Sequence, residues 1–325
     1  MRDVAVKTAT TAARRLARIE EQIARDAAEI AARPLGDAGS LRRALEALGV
    51  DEVAASTALA GIRLERSEIT ALLARGVALG GKQLTAYEAV ADYADAAGVV
   101  ASHEPIGPRS RRPFVQVDEV VDLHHRALRR TAPAPGAWRA RNVPAVESGL
   151  VPPAHWLVPR EIASFVDRYA AGPPAQGSRL TWVAAAHARI LRIQPFDGGN
   201  GRLARLLGNL LLRRMGLPPA AFSDRLARRY SPSLAAADAG DLPALALLTA
   251  EAVAASLARL RAALAPSDGL RPLRELVPPD DLAALVKAAQ RGRLRVVRRG
   301  ARVYCTAAWI AEYRAGSASR AGERR

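Results

Sequence analysis

The sequence predicts a mainly α protein, and three observations carry that reading. Half of the residues are hydrophobic but only 4% are aromatic, with Ala and Leu dominant, a composition that favours helix over strand. Segment after segment repeats its apolar residues at helical spacing. Stretches rich in Pro and Gly lie between these segments and supply the breaks.

At 325 residues the chain can form one substantial core and a smaller accessory domain. Residues 3–32 put Leu16, Ile19, Ile23 and Ile30 on one side of a helix, and "RPLGDAGS" (33–40) breaks it. Two short helices are expected at 41–49 and 51–60, a third from a cap at Ser67, and a fourth over 84–98. A Pro- and Gly-rich loop (101–113) precedes a helix over 117–130, whose apolar face is Val120, Leu123, Ala127 and Leu128. Residues 132–159 hold six prolines and no helical period, a length that is usually functional or disordered. The helical pattern resumes near Pro159, and Ser178 caps a helix over 179–193 that Pro195 stops. Leu203, Leu206, Leu207, Leu210 and Leu211 then form a stripe that demands a central helix buried on one face. Helices around 221–237 and 241–264 complete this core. From 266 the character changes to a helix ended by Gly292, two short alternating strands about Arg299-Gly300, and a closing helix. The expected parts are therefore amino-terminal helices (1–83), a helical core (84–265) and a basic carboxyl-terminal module (266–325).

Composition excludes several classes. No apolar run approaches the ~18 residues of a membrane span, and the amino terminus lacks a signal core. A single cysteine, Cys305, excludes an internal disulfide framework or a multi-cysteine zinc site. These features predict a soluble cytoplasmic protein without a membrane partner. The net charge of +16 points to a polyanionic partner, nucleotide or nucleic acid, although a general Arg and Ala bias gives the same number. Residues 266–325 hold 13 Lys and Arg against 6 Asp and Glu, so the excess is dense at that end.

Residues 193–205, "IQPFDGGNGRLAR", carry the chemistry. Gly198, Gly199 and Gly201 free the backbone to turn its N–H groups inward as an anion-binding nest. The following helix aims its amino-terminal dipole at the same point. Arg202 and Arg205 lie three apart on one helix face and suit successive phosphates, while Asn200 adds a polar side chain in the loop. A plain helix–loop–helix turn with surface arginines is the bland alternative.

The stretch resembles the signature of the Fic (Fido) family, His-Pro-Phe-x-(Asp/Glu)-Gly-Asn-Gly-Arg-x-x-Arg, at Pro195, Phe196, Gly199, Asn200, Gly201, Arg202 and Arg205. "DLHHRAL" (122–128), "PGAWR" (135–139), "HARILRIQPF" with His187, and "RRYSPSLAAADAGDLPALALL" extend the resemblance over about residues 84–264. It implies a Fic-type helical core with a small β-hairpin flap at 132–159. It also implies transfer of AMP from ATP to a hydroxyl of a protein target, with magnesium held by the acidic residue, phosphate bound by Asn200 and the loop amides of 198–201, and the second Arg, Arg205, on the terminal phosphate.

Three positions depart from that pattern. Gln194 stands where the family keeps its base, and an amide holds no proton near neutral pH. His187, about 10.5 Å upstream along a helix, is too far to substitute. Gly198 fills the metal-ligand position, while Asp197 offers a carboxylate one residue early, as a magnesium ligand or a solvated loop residue. "STALAG" (56–61) is similar to the family's inhibitory helix at Ser56 and Gly61, but Ala60 replaces its glutamate. The resemblance thus implies an Arg205 left free for phosphate and a catalytically impaired, nucleotide-binding protein. An active AMP transferase using water or a target group as base, and a phosphotransferase with another nucleotide donor, stay open.

Residues 270–315 resemble the small winged-helix module found after some Fic cores. Arg298, Arg299 and Arg302 would decorate its wing, with Lys287, Arg291 and Arg293 at the preceding helix end, a set able to neutralise duplex DNA phosphates. A solvated face on a protein-binding module gives the same composition. Trp309 and Tyr313 are expected in its core.

Overall fold

The computed structural model describes residues 2–32, 38–78, 80–107, 109–146, 148–264, 269–299, 302–307 and 309–314. It divides into two units, 1–263 and 264–325, so the amino-terminal helices share one body with the core. In the first unit, α1 (Arg2–Ala31) and α2 (Ala38–Leu59) precede α3 (Arg66–Arg75) and α4 (Leu84–Ser102). Then come α5 (Val117–Leu128), α6 (Val158–Ala170), α7 (Arg179–Ile193), α8 (Asn200–Arg214), α9 (Asp224–Asp238) and α10 (Leu242–Leu264).

Helix α8 is central, packed by α7, α5, α4 and α2. Its leucine stripe is buried as the spacing requires. Ser178 caps α7 through its Oγ, which accepts from the Thr181 N–H at 2.9 Å. Where two short helices were expected, α2 runs unbroken through Gly49. Buried Leu48 and Val53 on either side hold it helical against a glycine cost of about 1 kcal/mol. Helix α3 starts one residue before Ser67, with the Glu68 carboxylate accepting from the Glu65 N–H.

The 132–159 segment is closed by a turn rather than a ladder: the Val146 N–H donates to the Leu150 carbonyl at 2.9 Å, and no strand occurs there among the described residues. A short 3₁₀ turn (His155–Leu157) leads into α6. The expectation of no membrane-length helix also needs correction. Helix α10 is long and apolar enough to cross a membrane by length and composition, with 56% of its apolar window buried inside the protein. Its small and polar positions, Thr249 and Ser256 among them, interrupt the apolar run without exposing it.

The second unit contains α11 (Leu273–Leu276), α12 (Pro279–Gln290) and a three-stranded antiparallel sheet. The expected hairpin is β2 (Val297–Arg299) with β3 (Arg302–Cys305), and β1 (Arg271–Pro272) adds a third strand on the other side of β3. Leu273, Leu285, Leu294, Cys305 and Ile310 form its own small core.

Candidate functional site

Helix α7 ends at Gln194 in the left-handed conformation, φ 48°, the sole non-glycine residue with positive φ among the described residues. That reversal swings the chain out of α7 and into the glycine loop. Gln194 is tied at both ends of its side chain. Its Nε2 donates to the Leu191 carbonyl at 2.8 Å, and its Oε1 accepts from Asn200 Nδ2 at 2.8 Å. Asn200, expected to serve a ligand, is buried and spent inside the loop: Nδ2 also reaches the Phe196 carbonyl, and Oδ1 accepts the Phe196 N–H. The ligand donors left at this end are the first-turn amides of α8, which a helix cannot satisfy internally.

Phe196 anchors the loop. Its ring is buried, stacked on His124 at 3.6 Å between centroids and flanked by Trp138 at 4.8 Å. His124 in turn accepts the Gly136 N–H at Nδ1 and donates from Nε2 to the Gly198 carbonyl, both at 2.9 Å. Burial pushes its pKa down to about 4, so it is a neutral brace between α5, the loop and the 132–159 segment. Gly199, φ 72°, caps α8 where only glycine fits: an added Cβ would lie 2.6 Å from Leu128 Cδ2.

Arg139 fastens the same segment from the other side. It is buried, and its guanidinium donates to the carbonyls of Gln194 (2.7 Å), Arg141 (2.9 Å) and Pro153 (2.5 Å). Asp197, by contrast, is exposed and faces Arg141 at 3.4 Å. Asp197 is the sole carboxylate of the loop, and Gly198 carries no side chain. Among the described residues no group of three or more His, Cys, Asp or Glu could hold a metal. A magnesium ion at this loop would have Asp197 as its carboxylate and would take its remaining oxygens from nucleotide phosphates and water.

Arg205 is not free, contrary to the expectation from Ala60. It is buried, with Nε donating to Ser56 Oγ at 2.6 Å and Nη2 to the Ser56 carbonyl at 2.9 Å. Nη1 donates to the Tyr230 hydroxyl at 3.3 Å, and that hydroxyl meets His187 Nε2 at 2.7 Å. With the Tyr230 oxygen accepting from Arg205, its proton goes to His187. Burial pushes the His187 pKa down to about 3, so the imidazole stays a neutral acceptor. Loss of the glutamate at 60 therefore leaves the helix in place, because Ser56 holds the arginine from one turn earlier. Ala60 itself is exposed, and Gly61, φ 82°, turns the chain away. Glu52, a further turn back, is buried and accepts from Tyr93 Oη (2.6 Å) and Asn209 Nδ2 (3.1 Å). Burial raises its pKa to about 7 against these hydrogen bonds and the charge of Arg205.

Residues 114–212 match the model of the Fic/DOC family. The chain carries a Fic domain. It is 30% identical over 209 residues to a protein adenylyltransferase Fic of Nematostella vectensis, covering 63% of this chain and 47% of that protein. It is 26% identical over 212 residues to one of Culex quinquefasciatus, covering 63% and 40%. The chain spans less than half the length of these curated relatives. Among solved structures, C. elegans Fic-1 superposes with a TM-score of 0.67 at 23% identity, over 81% of this chain and 77% of that one. A Fic domain containing signaling protein of Bacteroides thetaiotaomicron superposes at 0.63 and 20% identity, over 75% and 96%. These likenesses establish the fold.

The Fic domain holds α5, the Arg139 fastening, the glycine loop and most of α8. Both groups that bind Arg205, Ser56 and Tyr230, lie outside it. Arg139, His124 and Tyr230 lie in stretches that carry the family resemblance but had no role assigned there, and Glu52 was not singled out, because nothing in a local pattern says which backbone carbonyl or buried cation a side chain will meet. In the second unit, Lys287, Arg291, Arg293, Arg298 and Arg302 are exposed. The register pairs Arg299 with Arg302 and Arg298 with Val303, so Arg298 and Arg302 lie on opposite faces of the hairpin. Trp309 is only partly buried against that unit's core, and the Arg295 guanidinium lies 4.2 Å above its ring.

Proposed function

We propose that this chain binds a nucleoside polyphosphate, ATP by its relationship to adenylyltransferases, at residues 198–202, and is impaired as an AMP transferase. One observation carries the impairment: the Gln194 side chain is bonded at both ends within its own loop. An amide so placed neither accepts a proton from a target hydroxyl nor swings out without breaking two hydrogen bonds. Neither of the two buried histidines, His124 and His187, replaces it. Both ring nitrogens of His124 are engaged, and His187 is bonded to Tyr230. Removing a general base costs roughly 10²–10⁴-fold. The test incubates the native protein with labelled ATP, magnesium and a cell lysate. Labelling of lysate proteins or self-labelling at the level of a histidine-bearing relative would refute the impairment.

A second reading concerns duplex DNA. It is supported by the exposure of Lys287, Arg291, Arg293, Arg298 and Arg302 on one small unit, with Arg298 and Arg302 on two faces of a hairpin, where each could neutralise a different phosphate. A protein target for the Fic domain is the corresponding expectation for the 132–159 segment, where Val151 and Trp156 are exposed.

A further inference from the structure

An open cavity of about 510 Å³ lies between the chain that leaves α2, the start of α4 and the first turn of α8. Gly61 and Arg63 line it on one side, Lys82 and Thr85 on the second, and Thr131 and Arg202 on the third. Its lining has, among the described residues, three cations and no carboxylate. Among the described residues, no carboxylate lies within ion-pair distance of Arg63, Lys82 or Arg202. Glu68 feels the charge of Lys82 but is bonded to the Glu65 N–H and the Tyr87 hydroxyl. Arg202 is the most constrained of the three. Among the described residues its side chain makes one hydrogen bond, a long one of 3.5 Å to the Ala127 carbonyl. Burial and then the charge of Arg205 lower its pKa, against a smaller upward pull from Tyr93 and Asp92, which leaves a cation that a further anion would relieve.

Arg202 follows Gly201 directly and so belongs both to the loop and to this cavity. Arg205, the other signature cation, is sealed behind Ser56. We propose that this cavity is a phosphate site in which Arg63, Lys82 and Arg202 hold the outer phosphates of a polyphosphate chain. Arg63 and Lys82 lie outside the Fic domain match and outside its signature. Two sources share this chemistry: the terminal phosphates of a nucleotide seated on the glycine loop, and free polyphosphate. The first rests on the nucleotide reading above, and the second does not.

The experiment is calorimetry on the full chain at low salt with ATP, AMP and tripolyphosphate, using the native protein and an Arg63→Ala/Lys82→Ala variant. Both side chains are exposed, so the variant keeps the core. The native protein should bind ATP at least about tenfold more tightly than AMP. The variant should lose at least about tenfold for ATP and tripolyphosphate and less than about twofold for AMP, as expected for charge-assisted contacts removed from outer phosphates. Native binding of tripolyphosphate but not ATP, lost in the variant, would keep the site and remove the nucleotide reading. Unchanged ATP affinity in the variant would overturn the site and leave the nucleotide reading standing. Failure of the native protein to bind either ATP or tripolyphosphate would overturn both.

Discussion

Arg205 donates to both the hydroxyl and the backbone carbonyl of Ser56, 149 residues away in sequence. This pairing ties α2 to α8 through a buried cation that, among the described residues, has no carboxylate in direct contact. It explains how the amino-terminal helix stays seated without a glutamate at position 60.

Ser56→Ala should therefore destabilise the protein by about 1.5–3 kcal/mol, since it leaves Nε of a buried guanidinium without its acceptor. Urea unfolding measures it. A change within a few tenths of a kcal/mol would mean that water or Tyr230 replaces the hydroxyl.

Glu52 has a pH signature. Its pKa is about 7 in the folded protein against the usual 4.5, so the folded state binds the proton more tightly than the unfolded one. Its contribution to stability is full below about pH 4.5 and is lost as pH rises to about 7. Glu52→Gln keeps an oxygen for Tyr93 and Asn209, so this pH-dependent component should vanish. Unfolding midpoints at pH 5, 6, 7 and 8 compare the two, and parallel curves would place the proton elsewhere.

Gly199→Ala should be costly. The position has φ 72°, worth roughly 1–2 kcal/mol against any L side chain, and the new methyl would press on Leu128. Together with overpacking of about 1–3 kcal/mol, a loss of at least 2 kcal/mol is expected in the same unfolding assay. Gly198→Ala, whose Cβ meets nothing within 4 Å, is the control and should cost little.

Gln194→His should raise AMP transfer at least about tenfold, the low end of a general base's contribution. Histidine tolerates the left-handed backbone better than most residues. Labelled-ATP transfer to self and to lysate proteins reports it. No gain would shift the defect to the metal-ligand position at Gly198.

The DNA reading is tested by fluorescence anisotropy of the full chain on duplex DNA across salt. The log–log slope should be about −0.9 per neutralised phosphate, and Arg298→Ala with Arg302→Ala should reduce it by about two units. A slope indifferent to both substitutions would leave the second unit's charge as a solvated face.

Much of this was legible in the sequence because it rests on local pattern. The leucine stripe of α8 is a 3.6-residue period, the Ser178 cap and the Pro195 stop are single-residue backbone effects, and the glycine loop has a signature of its own. The nature of residue 194 was equally plain, since an amide's inability to carry a proton is a property of the side chain itself. Tertiary structure decided what those side chains touch. Ala60 alone suggested a liberated Arg205, but Ser56 Oγ and Tyr230 Oη converge on it from α2 and α9, a meeting no local period encodes. Asn200 and Asp197 were likewise nameable but not assignable: burial turned one inward onto Phe196 and Gln194, and exposure left the other facing Arg141. The unbroken α2 has the same cause, because its glycine cost is local while the burial of Leu48 and Val53 that outweighs it depends on packing against the rest of the core. Side-chain identity sets which protons and charges are available; only the packing of distant helices sets their partners, their solvation and so their pKa.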